Sequence, residues 1–222
     1  MCIRDRLYND EIIIDDFASA TAIRKMIATG QFEEIQKVMP KSSYALLADE
    51  LRRGHYVLDL SKFQKEIIYN LRKMKVGDIA QLADVSEGLE NAIKNAANSC
   101  NNVVDFVNIV KCKRYTQTRI QRILIYALLG ITSEKMMTSK KTTPYARILG
   151  FNEKGKKLIS QIVKHNKRAQ IVTSVKKYMD ESKNKALKEM LETDIFATNV
   201  YTLGYESDSW SNLDYTNKII TM

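Results

Sequence analysis

Five cations stand between positions 111 and 122, namely Lys111, Lys113, Arg114, Arg119 and Arg122, with no acidic residue among them. Tyr115, Thr116 and Thr118 lie between the charges. This mixture suits a polyanion: ammonium and guanidinium groups neutralise phosphates, planar guanidiniums grip two oxygens at once, and a tyrosine ring can stack on a base. Other chemistry finds little to work with. His55 and His165 are isolated, and Cys2, Cys100 and Cys112 have no metal-ligand spacing, so neither a catalytic residue nor a metal site is expected in the chain.

The elements that must carry the cations follow from periodicity. From about Thr118, Ile120, Ile123, Leu124, Ala127 and Leu128 recur three and four apart, which is one buried helical stripe, and Gly130 ends it. Thr118 with Gln121 reads as a capping box, so Arg119 and Arg122 project from the first turn, where free N–H groups and the helix dipole also favour phosphate. Upstream, Ser86 reads as the N-cap of a helix with Glu87 and Glu90 in its first turn. Asn101 or Asn102 starts the next helix, with Val103, Phe106, Val107 and Val110 as its apolar side. Glu87, Glu90 and Asn91 could then bind a base edge or orient the arginines; a buried Glu90–Arg119 ion pair is the plainer alternative.

Composition sets the wider frame. The 222 residues are 45% hydrophobic with only 8 Gly and 2 Pro, which favours a mostly helical protein with a real core. Helices are expected over 32–38, 43–53 and 61–74, broken by Pro40 and Gly54. A formal charge of +9 and a pI near 9.3 point to an acidic partner, most commonly nucleic acid. No apolar run reaches the roughly 18 residues of a membrane span, and the cysteine usage suits a reduced, cytoplasmic setting. A second basic stretch (Lys154, Lys156, Lys157, Lys164, His165, Lys167, Arg168) flanks Leu158, Ile159, Ile162 and Val163. Its lysines read either as a solvated helix face or as an extension of a positive surface.

The pattern Ser86-Glu87-Gly88-Leu89-Glu90-Asn91, with Lys113-Arg114-Tyr115-Thr116-x-Thr118-Arg119-x-x-Arg122, resembles the bacterial tRNA(Met) cytidine acetate ligase family. Ala18 to Arg24, Pro144 to Phe151 and the end of the chain, Thr193 to Tyr205 with Leu213 to Ile219, are similar to it as well, in collinear order. The resemblance implies an enzyme that activates acetate with ATP and Mg to acetyl-adenylate. It then acetylates N4 of the wobble cytidine of elongator tRNA(Met). Such enzymes carry a His-x-Gly-His nucleotide motif, and none occurs here.

The chain is therefore expected to be a mostly α, bundle-like C-terminal part of such an enzyme, its α/β nucleotidyltransferase domain missing. Residues 1–75 would be a remnant and helical extension of that domain, with 1–6 non-native, and 76–222 a helical tRNA-binding domain. On this view the chain supplies tRNA binding through Lys111, Lys113, Arg114, Tyr115, Thr118, Arg119, Arg122 and Arg147, needs no cofactor by itself and acetylates nothing alone. Arg147 equally suits tying its loop to a helix C-terminus. By the same resemblance Ser19, Thr21 and Arg24 would meet the ATP phosphates, the alternative being an ordinary N-cap with Arg24 in solvent. A non-catalytic helical RNA-binding module and a structural helical protein are the rival functions. Oligomeric state is left open.

Overall fold

The computed structural model describes residues 18–86, 88–165 and 170–221. They divide between two compact units, one holding the described residues of 18–62 with 204–209, the other those of 63–203 with 210–221.

In the first unit, Ser19 caps α1 (Ala20–Ala28) by accepting the Ala22 N–H at 3.0 Å. Helices α2 (Phe32–Lys37) and α3 (Lys41–Arg53) follow, and Ala22, Met26, Ile35 and Val38 close a small core between α1 and α2. Pro40, whose φ is already suited to a helix start, begins α3, and Gly54 ends it in the left-handed conformation at φ +76°. A Cβ at Gly54 would sit 3.0 Å from the Ser207 backbone nitrogen, so position 54 needs glycine twice over. His55 stacks on Tyr205 with ring centroids 5.1 Å apart, and its Nδ1 lies 3.1 Å from Glu50 Oε2. That is a satisfied loop histidine.

The second unit carries α4 (Gln64–Lys73), α5 (Val76–Ala80), α6 (Leu89–Ser99), α7 (Val103–Val110) and α8 (Gln117–Leu129). After these come α9 (Ser133–Lys141), β1 (Tyr145–Arg147), β2 (Gly150–Phe151), α10 (Glu153–His165) and β3 (Gln170–Val172). The last elements are α11 (Val175–Glu181), α12 (Lys185–Thr202), α13 (Leu213–Thr216) and β4 (Ile220–Thr221). Helix α4 packs on α6 and α8, α7 on both α6 and α8, and α12 on α8 and α9. The residues at the i, i+3, i+4 positions of these helices are the ones that disappear from solvent: Ile67 and Leu71, Leu89 and Ile93, Phe106, and Ile120, Ile123 and Leu124. The strands make two small parallel pairs, β1 with β3 (Tyr145 opposite Gln170) and β2 with β4 (Gly150 opposite Ile220).

The loop after α5 is tied to the turn between α8 and α9: Ala83 N–H donates to Ile131 O at 3.1 Å, Ser133 N–H to Gln81 O at 2.8 Å, and Ser133 Oγ to Leu82 O at 3.2 Å. Leu82 and Thr132 form an antiparallel bridge in the same place. The loop's backbone is thereby fixed to the helix that carries the arginines.

Phe106 is fully buried. Phe106→Ala removes its ring from the core of the second unit and should lower stability by about 3–5 kcal/mol in a urea titration. A loss below about 1 kcal/mol would contradict the packing described.

Candidate nucleic-acid interface

Helix α8 begins two residues earlier than its sequence suggests. Thr116 is the N-cap, its hydroxyl accepting the Arg119 N–H at 3.4 Å, and the Thr118 hydroxyl lies 3.3 Å from that of Thr116. Arg119 is thus the third helical residue, and Arg122 lies near it on the next turn. Before the helix, residues 112–115 close a tight turn in which Cys112 and Tyr115 exchange backbone hydrogen bonds at 3.1 and 3.2 Å. This turn presents Lys113 and Arg114 to solvent, next to the exposed Lys111 that ends α7. Lys111 Nζ reaches Gln117 Oε1 at 3.5 Å. Cys112 is exposed rather than packed.

The two helical arginines are held by one residue that the sequence pattern does not single out. Asp84 adopts a left-handed backbone conformation, φ +63°, which Asp tolerates better than most residues. Its carbonyl oxygen accepts from Arg119 Nε at 3.1 Å and Nη2 at 2.8 Å. Its carboxylate Oδ2 accepts from Arg122 Nε at 3.0 Å and faces Nη2 at 2.9 Å. Arg119 Nη2 also donates to Ser86 Oγ at 2.8 Å. Ser86 therefore steadies an arginine instead of capping α6, whose N-cap is Gly88 at φ +83°. The Arg122 side chain keeps 54% of its surface, so the Asp84 pair orients it without burying it.

Tyr115 is corrected as a stacking platform. Its ring is buried to 9% exposure, with the Arg119 guanidinium carbon 5.4 Å and that of Arg114 6.0 Å from the ring centroid. The aromatic face supports the cations by cation–π attraction and is not open to a base. Arg147 is engaged inside the protein: its guanidinium pairs with Asp214 and is 26% exposed. The partner is a carboxylate of α13, so neither reading of Arg147 made from sequence describes it. Glu90 and Asn91 lie at the start of α6, where Asn91 Nδ2 donates to Glu90 Oε1 at 3.3 Å. The orientation of Arg119 and Arg122 comes from Asp84 and Ser86. Glu87 lies outside the described residues, as do Lys167 and Arg168 of the second basic stretch and the segment 1–17.

Lys154, Lys156, Lys157 and Lys164 are all exposed on α10. In the first unit, the Ser19 hydroxyl is engaged as the α1 cap, Thr21 is half-buried, and Arg24 is exposed one turn further on. No helix among the described residues is long and apolar enough to cross a membrane.

Comparison with known proteins gives the chain's family. The family model described as HIGH Nucleotidyl Transferase matches residues 4–215. A protein of Thermoanaerobacter pseudethanolicus named tRNA(Met) cytidine acetate ligase is 37% identical over 217 residues, 97% of this chain and 52% of that protein. The crystal structure of Thermotoga maritima TmcAL in its apo form superposes with a TM-score of 0.89 at 27% identity, over 98% of this chain and 53% of that one. TmcAL bound with alpha-thio ATP superposes at 0.86 and 27% identity, over 95% of this chain and 53% of that one. The chain spans about half the length of the relatives it matches.

These matches correct the expected fold. The nucleotidyl transferase family model runs through nearly the whole chain. The residues thus belong to that family's own pattern and are not a helical part from which its nucleotidyltransferase domain is missing. The match does so without a His-x-Gly-His, which the sequence does not contain. The expectation of a chain that is inactive alone rested on the missing domain and loses its support with it.

Tyr145 on β1 donates its phenol to Asp194 of α12. Burial, reinforced by the carboxylate, pushes the phenol's pKa up. The folded chain keeps this proton above pH 10, where an unfolded phenol with a pKa of about 10 releases it, so stability should fall as pH rises past that point. Urea titrations between pH 9 and 11 should show a shallower alkaline decline in Tyr145→Phe than in the wild type. Equal slopes would contradict this assignment.

Proposed function

Because this chain belongs to the HIGH nucleotidyl transferase family, we propose that it serves the acetylation of the wobble cytidine of elongator tRNA(Met). Its part in that reaction is to hold the tRNA through the surface from Lys111 to Arg122. One observation carries the reading. Arg119 and Arg122 stand at the start of α8, oriented by Asp84 while Arg122 stays more than half exposed, and Lys111, Lys113 and Arg114 lie exposed just before them. Oriented guanidiniums at a helix start recognise phosphate oxygens with little further ordering to be done on binding.

ATP with Mg and acetate are the reactants this function requires. The alpha-thio ATP in the Thermotoga maritima relative supports ATP as one of them. Among the described residues, Arg24 is an exposed cation in the middle of α1, one turn on from its cap, and it fits a phosphate better than Ser19, whose hydroxyl already caps the helix. In the reaction the cytidine N4 attacks the acyl carbon of acetyl-adenylate, AMP leaves, and a proton is lost from N4. The tRNA-holding surface contributes by alignment: fixing two reactants in position is worth roughly 7–11 kcal/mol of a bimolecular barrier. It needs no acid or base of its own.

Binding of the tRNA should weaken steeply with salt, each phosphate contact adding about 0.7–0.9 to the log–log slope. Replacing both Arg119 and Arg122 by Ala should cost about tenfold or more in affinity and reduce that slope by roughly 1–2. Elongator tRNA(Met) should bind more tightly than tRNAs with unrelated anticodons, whereas a general helical RNA-binding module would show no preference. A salt-independent affinity, or a double variant that binds as the wild type does, would overturn the reading.

A further inference from the structure

Asp84 is an odd residue to find in the middle of a phosphate-binding surface. Its carboxylate sits 2.9–3.0 Å from the Arg122 guanidinium, on the Nε/Nη2 edge that a phosphate would otherwise take side-on. Its place is fixed by the backbone just before it, where residues 81–83 are tied to the turn between α8 and α9. The same residue uses its carbonyl, not its charge, to hold Arg119. One arginine is therefore positioned by neutral groups, the Asp84 carbonyl and the Ser86 hydroxyl. The other is positioned by a carboxylate, which offsets the arginine's charge.

We propose that Asp84 is a specificity-determining residue of this surface, an inference that rests on the tRNA-binding function. By occupying the near edge of Arg122 it lowers the attraction for any loosely arranged polyanion, and it fixes the guanidinium so that only its outward edge is offered. A folded RNA that brings a phosphate to that edge binds an already ordered side chain. A flexible single strand, which could wrap onto a free arginine from any side, loses that advantage. Asp84 contributes selectivity for shape by reducing affinity for charge alone.

The test compares tRNA with single-stranded poly(U) RNA, binding to wild type, Asp84→Asn and Asp84→Gly. Both replacements suit a left-handed backbone position, and a thermal melt of each establishes that it is folded at the assay temperature. Asp84→Asn keeps the carbonyl that holds Arg119 and removes only the charge at Arg122. Poly(U) affinity should rise about threefold or more, with a steeper salt slope, while tRNA affinity rises less, so the preference for tRNA narrows. In an Arg122→Gln background the same Asp84→Asn change should leave the preference where it was. A merely structural role for Asp84 would shift the melt and weaken both ligands together. An unchanged or widened preference in both Asp84 variants, or an equal narrowing without Arg122, overturns the proposal while leaving tRNA binding intact. Failure of the wild type to bind tRNA overturns both.

Discussion

Everything at the arginine surface depends on how the loop around Asp84 is anchored. Ala83 N–H donates to Ile131 O and Ser133 N–H to Gln81 O, which ties the loop to the turn that ends α8, while Asp84 meets arginines of the same helix's opening turns. A surface ion pair by itself adds little to stability, about 0–1 kcal/mol, because both partners are well hydrated apart. Here the backbone bonds of residues 81–83 place Asp84 where its carbonyl meets Arg119 and its carboxylate meets Arg122. Two long side chains are thereby ordered at low cost. Behind them, the buried ring of Tyr115 gives Arg119 a face to rest on.

The helices are largely legible from the chain, and for a simple reason. Burial at i, i+3 and i+4 leaves a strong imprint, so spacing alone assigns Ile120, Ile123 and Leu124, or Val103, Phe106 and Val107, to the core. Gly130 ends α8 in the left-handed conformation at φ +65°, as its position suggests. Helix ends are less secure. Thr116 and Thr118 are equally good caps by type; the tight turn at 112–115 selects the first, and a turn of that kind has no periodicity to betray it.

The site is legible only in its charges. That Arg119 and Arg122 project from the opening of a helix follows from spacing, but their partner does not. Asp84 lies 35 and 38 positions away, in a short segment with no repeat and no glycine to flag its backbone conformation. Glu90 and Asn91 are polar and near a helix start, but the hydrogen bond between them says nothing of Arg119 or Arg122, whose partners are Asp84 and Ser86. Tyr115 misleads for a related reason: a tyrosine among cations suggests an exposed platform, and periodicity offers no value for the exposure of a residue in a turn. For Arg147 the missing information is Asp214, from an element near the other end of the chain. The largest correction concerns the family's nucleotidyltransferase pattern: one short motif is lacking, although the family's match covers most of the chain.

The central claim is that the start of α8, with the loop that orients its arginines, is where tRNA docks. Amide hydrogen exchange with and without tRNA tests it most directly. The account predicts slowed exchange over 111–122 and the loop around Asp84, with α2 and α3 unchanged. Protection elsewhere in the chain, with 111–122 exchanging as freely as before, would contradict it.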